Sequence, residues 1–94
     1  MKFIVQWQGQ PTAQQAAIER FMKTGGQAPQ NVTLLGRWHA VGQLKGVAIV
    51  EANDTAALGE LMLQWTDLLS MSATPAATDE ELGAVLAAWQ SQSK

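Results

Sequence analysis

The chain has 94 residues, of which 47% are apolar and 15% charged, and its net charge is −2. This length suits one hydrophobic core, so we expect a single domain over residues 1–90 and a frayed tail over residues 91–94. Six Lys and Arg residues, spread singly along the chain, form no basic stripe that would neutralise phosphates. We therefore expect neither nucleic acid nor a membrane surface as a partner.

Cysteine is absent from the sequence, which excludes disulfides, thiolate metal sites and a cysteine nucleophile. No stretch reaches the roughly 18 apolar residues that a membrane-spanning helix needs, and the first residues do not form a signal peptide. We therefore expect a cytoplasmic protein.

The first half of the chain predicts a strand, a helix and a second strand. Residues 2–8 alternate apolar and polar side chains with the period of two that is typical of a strand. A helix begins after Pro11, with Thr12 as its predicted cap, and ends at Gly25 and Gly26, since glycine accepts the left-handed conformation of a helix end. Residues 32–39 again favour a strand.

Residues 44–52 favour a strand that forms a hairpin with residues 32–39. Asp54 is the predicted cap of a second helix, and residues 68–74 predict a fourth strand that Pro75 ends. Residues 78–81 form a capping box for a third helix. The two helices carry apolar stripes at i, i+3, i+4 and i+7: Leu58, Leu61, Met62 and Trp65, then Leu82, Val85, Leu86 and Trp89.

This order of elements predicts an α+β fold, a ferredoxin-like βαββαβ sandwich with an extra C-terminal helix. Right-handed crossovers place the first two helices on one face of a four-stranded antiparallel sheet. The other face stays open and partly apolar, so we expect a homodimer through the open sheet face. Two such sheets face to face form a dimeric α+β barrel.

Strict alternation along each strand assigns side chains to the two faces of the sheet. The face toward the helices is predicted to carry the core, Phe3, Val5, Trp7, Val32, Leu34, Trp38, Val50 and Met71, with the small residues Gly36, Gly46, Ala48 and Ala73. The open face is predicted to carry Ile4, Gln6, Gln8, Leu35, Arg37, His39, Val47, Ile49, Glu51, Ser70, Ser72 and Thr74. An apolar centre with convergent polar groups is typical of a ligand pocket.

His39 and Arg37 are the candidate catalytic residues. His39 is the only histidine, and imidazole is the side chain best suited to proton transfer near neutral pH. Arg37, two residues away, has the planar fork that binds a carboxylate or phenolate. The alternative interpretations are a surface imidazole at a strand end and a structural ion pair between Arg37 and Glu51.

The candidate ligand-binding residues are Gln6, Gln8, Arg37, His39, Glu51 and Trp65. The four tryptophans are interpreted mainly as packing residues, with Trp65 as the one that can border a site. Asp67 is interpreted as a turn residue. Neither a metal-ligand spacing nor a phosphate-binding glycine loop is present, so the sequence predicts no metal site and no cofactor.

Four segments carry a resemblance to a known family: residues 3–7, residues 34–39 with the sequence LLGRWH, residues 50–54 and residues 65–69. Together they resemble a family of short bacterial proteins known only as a domain of unknown function and similar to the dimeric α+β barrel superfamily. The GRWH stretch is the most specific of them. The resemblance implies the fold and a dimer, but the superfamily's varied activities do not select a function.

Two functions are therefore expected from the sequence. In the first, the protein binds a small anionic or aromatic molecule in a barrel pocket, with chemistry of a cofactor-independent monooxygenase or isomerase. Arg37 orients the molecule and His39 moves a proton. In the second, the protein is a non-catalytic dimerisation or sensing module without a ligand.

Overall fold

The computed structural model describes residues 1–92 and contains four strands and three helices within that range. A short 3-10 turn over Pro11–Ala13 precedes the first helix. In chain order the elements are β1 (Lys2–Gln8), α1 (Gln14–Thr24), β2 (Val32–His39), β3 (Lys45–Ala52), α2 (Thr55–Leu63), β4 (Ser70–Ala76) and α3 (Asp79–Gln92). Ser93 and Lys94, the last part of the expected tail, lie outside the described residues.

The four strands form one sheet in the order β2-β3-β1-β4, and every neighbouring pair is antiparallel. This order places the first and third strands in the centre, as two interleaved β-α-β crossovers require. The predicted fold class is confirmed: the protein is an α+β domain consistent with the ferredoxin-like βαββαβ fold, with an additional C-terminal helix.

Three of the predicted helix ends are confirmed, and each depends on residues that are close in sequence. Gly25 and Gly26 have φ angles of 68° and 64°, and the Gly25 amide donates to Phe21 O, so the glycines end α1. The Asp54 carboxylate accepts a hydrogen bond from the Ala57 amide at 2.8 Å and caps α2. At α3, Thr78 and Glu81 cap each other's amides at 3.1 and 2.9 Å, which is the predicted capping box.

Two predicted boundaries are wrong. Thr12 does not cap α1, because residues 11–13 turn as a 3-10 helix and α1 begins at Gln14 without a side-chain cap. Pro75 does not end the fourth strand, since it pairs with Phe3 inside β4. Strand β4 lies at the edge of the sheet, where a proline is tolerated because one row of backbone groups has no neighbouring strand.

Strand β2 contains one residue more than its partner β3 needs. Leu34 pairs with Val50 and Gly36 with Ile49, so Leu35 is the extra residue of a β-bulge. Beyond the bulge, Arg37 pairs with Ala48. Because cross-strand partners share a face, Arg37 lies on the same side of the sheet as the buried Ala48.

The bulge corrects the predicted faces of β2. Arg37 and His39 lie on the helix side and not on the open face, whereas Trp38 and Gly36 lie on the open face and not in the core. Trp38 is 60% exposed, and its ring lies so close to Gly36 that a Cβ there would come within 2.6 Å of it.

The hydrophobic core lies between the sheet and α2. It joins three strands to the first turn of that helix, and the partly buried Leu58, Leu61 and Met62 extend it. Its buried members are Phe3, Val5, Val32, Ala48, Val50, Ala52 and Ala57.

Helix α1 is tied to the segment after α2 by Arg20. The guanidinium donates from Nη1 to Asp67 Oδ1 and from Nη2 to Asp67 Oδ2, both at 2.7 Å, and from Nη1 to Gln64 O at 2.8 Å. It also lies 5.5 Å from the centre of the Trp65 ring. The hydrogen bonds from Arg20 hold the pKa of Asp67 below its usual range. Asp67 is therefore more than the turn residue that the sequence suggested.

We expect Asp67→Asn to lower the melting temperature near neutral pH, by a few degrees at most because the pair is partly exposed. A carboxylate whose pKa is depressed by folding stabilises the protein above its unfolded pKa, about 3.9, and this contribution disappears as the pH falls through the lower folded pKa. The difference from the wild type should therefore shrink in acid. Thermal unfolding across the pH range measures it, with Glu60→Gln at an exposed position of α2 as the control. A difference independent of pH would contradict the ion pair.

Candidate functional site

A cavity of about 290 Å³ lies between the sheet and the two helices α1 and α2. The sheet supplies its floor, α1 one wall, and α2 with the following segment the other. Nearly every side chain that lines it is apolar, and Arg37 and His39 are the exceptions. The lining consists of Val5, Trp7, Ala17, Ile18, Phe21, Met22, Gly26, Ala28, Leu34, Arg37, His39, Leu44, Ala48, Val50, Leu61, Trp65, Leu69 and Met71.

Arg37 brings the only formal charge to this lining. Its Nη1 donates a hydrogen bond to Gly26 O at 2.7 Å, and its guanidinium carbon lies 4.9 Å from the centre of the Phe21 ring. Guanidinium has five N–H donors, and in residues 1–92 no carboxylate pairs with this one. Arg37 therefore has donors left for an acidic group that enters the cavity.

Gly26 positions Arg37 and has to be a glycine. It is buried, its φ angle is 64°, and a Cβ there would come 2.8 Å from Arg37 Nη1 and 2.6 Å from the Phe21 ring. Any larger residue would displace the guanidinium, and its backbone would be strained as well. The same glycine pair that ends α1 thus also supplies the acceptor that holds Arg37.

His39 lies at the exposed end of β2, beside two aromatic rings of the cavity. Its imidazole contacts the Trp7 ring edge-on, with 5.7 Å between centroids, and the Phe21 ring at 5.5 Å. Phe21 therefore touches both Arg37 and His39. The exposed imidazole keeps access to water, which a proton-transfer group needs.

Trp7 and Trp65 form aromatic surfaces on the floor and wall of the cavity. Trp7 lies over Gly46, where a Cβ would collide with the indole ring. The absence of a side chain at Gly46 therefore makes room for the Trp7 ring. Trp65, stacked under the Arg20 guanidinium, borders the cavity as one of the sequence interpretations held.

The predicted site residues separate into two groups. Arg37, His39 and Trp65 meet in the cavity on the helix side, whereas Gln6, Gln8 and Glu51 belong to the open face. Glu51 accepts a hydrogen bond from the Met1 ammonium at 2.8 Å and lies 3.5 Å from Lys2 Nζ, and these cations hold its pKa below the usual range. The alternative ion pair between Arg37 and Glu51 does not form, since the sheet separates them.

Sequence reasoning missed two residues that shape the site, Phe21 and Gly26. Phe21 belongs to the apolar stripe of α1 and carries no signal that distinguishes it from a core residue.

The isolated Gly36 within β2 was a signal for the bulge, since glycine inside a strand pattern is common at such sites.

The site offers recognition of an acid by a cation in apolar surroundings, next to an imidazole. Among the residues described, no three acidic or histidine side chains are grouped so as to hold a metal ion. The polar groups of the site are the Arg37 guanidinium and the His39 imidazole, and its walls are mainly apolar and aromatic.

Comparison with known proteins places the chain in a family without assigning an activity. None of the curated proteins matches it. Within residues 1–92, none of the helices combines the length and the apolar character needed to cross a membrane. A family model described as Domain of unknown function (DUF3303) matches residues 1–90. Because this match covers nearly the whole chain, the protein belongs to the DUF3303 family.

Proposed function

We propose that the protein binds a small, mainly apolar molecule that carries an acidic oxygen, such as an aromatic carboxylate, phenolate or enolate, in the cavity between the sheet and the helices. The observation that carries this proposal is Arg37, a cation that faces apolar walls with one backbone carbonyl as its polar partner. The guanidinium is half-buried and has N–H donors without a protein partner, and an anionic ligand would pair with them.

The dimensions and walls of the cavity support an aromatic ligand. A volume of about 290 Å³ is at the lower end of the range for small-molecule pockets, which suits one or two fused rings. Trp7, Phe21 and Trp65 offer ring surfaces for offset or edge contacts with the ligand. The cavity lies on the helix side of the sheet, away from the open face.

We propose further that His39 exchanges a proton with the bound molecule. In this scheme the neutral imidazole removes a proton from the carbon next to a carbonyl, and the electron pair of that C–H bond becomes an enolate whose oxygen Arg37 stabilises. Return of the proton to another atom of the same anion completes an isomerisation. Attack of the anion on molecular oxygen would instead begin a cofactor-independent monooxygenation.

The open sheet face favours a second function, homodimerisation, which also belongs to the non-catalytic alternative. Exposed Trp38 lies beside the half-buried Val47 and Ile49, and Ile4 continues this apolar surface on β1. Gln6, Gln8 and the β4 serines flank it with polar groups. An apolar centre with a polar rim and a central tryptophan is typical of a protein interface, and we propose that a second copy covers it.

We expect Arg37→Met to weaken the binding of 2-naphthoate by about tenfold to hundredfold, since hydrogen bonds to a charged group contribute about 1.5–3 kcal/mol. The neutral analogue 2-naphthamide should lose little, because methionine preserves the apolar volume. Isothermal titration calorimetry measures both affinities, and Lys23→Met, which removes an exposed cation of α1, is the matched control.

Two results of this titration would contradict the binding proposal. One is a wild-type protein that binds neither compound at millimolar concentration. The other is an equal loss of affinity for the acid and the amide in Arg37→Met, which would make Arg37 a structural residue only.

We expect His39→Gln to slow proton exchange of an enolisable aromatic acid by about 100-fold, the usual scale of general base catalysis. Phenylpyruvate is a suitable probe, and proton NMR in D₂O follows the loss of its methylene signal. The melting temperature should change little because His39 is exposed. Wild-type exchange no faster than in buffer would contradict proton transfer and leave the binding proposal intact, and a large loss of stability in the variant would favour a structural role for His39.

We expect Trp38→Gln to weaken dimerisation by about tenfold or more, since a central tryptophan commonly contributes about 2 kcal/mol or more to an interface. Sedimentation velocity over a dilution series measures the dissociation constant. Val41→Gln, at a fully exposed position in the β2–β3 turn, should leave it unchanged. A wild-type protein that sediments as a monomer at millimolar concentration would contradict the homodimer.

A further inference from the structure

Helix α3 is well formed, but its apolar side chains are exposed. The capping box of Thr78 and Glu81 starts it, and none of its residues from Asp79 to Gln92 is buried. Leu82, Val85 and Leu86 lie at the helical spacing that puts them on one face, and they are 48%, 63% and 49% exposed. A stripe of this kind ordinarily faces a core.

The shape of the chain shows that α3 projects from the domain. The radius of gyration is 16.2 Å and the longest dimension 56 Å, whereas a compact domain of this length has a radius of about 12 Å. An isolated helix shorter than about 15 residues is only marginally stable in water, because most helical stability in proteins comes from tertiary packing. A projecting helix of 14 residues therefore needs a surface to pack on.

The open sheet face has the size and chemistry to receive this helix. A helix of 14 residues is about 21 Å long, and an eight-residue strand such as β3 spans about 26 Å. The apolar group of Ile4, Trp38, Val47 and Ile49 matches the stripe of α3. The acidic first turn of α3, Asp79–Glu81, can face exposed Lys45 at one end of this sheet face. Glu51, at the other end of the face, is already paired with Met1 and Lys2.

A second copy is the partner that both surfaces fit. Two residues separate α3 from β4, and Trp38 on the open face and the apolar stripe of α3 are both exposed, so the helix does not cover its own sheet. We propose that α3 of each copy lies across the open sheet face of the other, with its Leu82, Val85 and Leu86 stripe on Trp38, Val47 and Ile49. This inference rests on the homodimer proposed above and names the element that forms it.

Because a dimer has two-fold symmetry, a single association event covers both α3 stripes and both open sheet faces. It also implies that the two sheets are separated by helices. This arrangement differs from the face-to-face barrel that the sequence suggested.

Cross-linking between two different variants tests the exchange, and the chain's lack of cysteine removes any background. One variant carries Val85→Cys on α3, and a second, with an affinity tag that changes its mass, carries Val47→Cys on the open face. The two are mixed, allowed to exchange subunits and treated with a short bismaleimide. Ala87→Cys, on the opposite side of α3, replaces Val85→Cys in the matched control.

We expect a covalent heterodimer from the Val85→Cys and Val47→Cys pair and much less from the Ala87→Cys control. A protein that dimerises without giving this heterodimer would overturn the exchange of α3 and leave the homodimer standing. A protein that remains monomeric throughout would overturn both. In a chain carrying both cysteines, a cross-link within one monomer would also overturn the exchange, since α3 would then cover its own sheet.

Charge substitutions on α3 provide an independent measurement. Leu86→Glu should raise the dimer dissociation constant by at least tenfold, because it buries a carboxylate against the apolar sheet face. Ala87→Glu adds the same charge on the opposite side and should change it little. Both positions are exposed in the chain, so neither substitution should impair folding, which circular dichroism checks. Equal effects of the two substitutions would overturn the assigned face of α3.

Discussion

The β-bulge at Leu35 decides which side chains meet in the cavity. Side chains along a strand alternate between two faces, so one extra residue exchanges the faces of everything that follows it. Beyond the bulge, Arg37 and His39 turn toward the helices, and Trp38 turns to the open face. Without that residue Arg37 and His39 would lie on the open sheet face, and Trp38 would face the cavity.

The consequence of the bulge is a cation in apolar surroundings, and several features of the fold accommodate it. The C-terminal glycines of α1 place a carbonyl within hydrogen-bond distance, and Phe21 presents its ring to the guanidinium. The bidentate pair of Arg20 and Asp67 ties α1 to the segment after α2, which belongs to the other wall of the cavity. The proposed binding of an acid at Arg37 and the proposed proton transfer at His39 both depend on this arrangement.

Much of the exposed apolar surface outside the cavity lies on the open sheet face and on α3. The strand ladder holds the open sheet face in place, and a capping box begins α3. Both surfaces expose side chains that ordinarily lie in a core. The low share of charged residues, 15%, agrees with a surface that is partly covered by another chain. The proposed ligand site and the proposed dimer interface are on opposite sides of the sheet, so each can be tested without the other.

The sequence alone determined the α+β class, the order of the elements and most of their ends. Hydrophobic periodicity, the Asp54 cap, the Thr78 box and the glycine stop act over a few residues and can be recognised locally. It also identified Arg37, His39 and Trp65 as candidates. Only the tertiary structure decided the face on which Arg37 and His39 lie, because a bulge is defined by the register with β3 and not by β2 itself. The cavity and the Arg20–Asp67 pair, 47 residues apart, likewise depend on contacts between distant segments, and these emerge only when the helices have packed over the sheet.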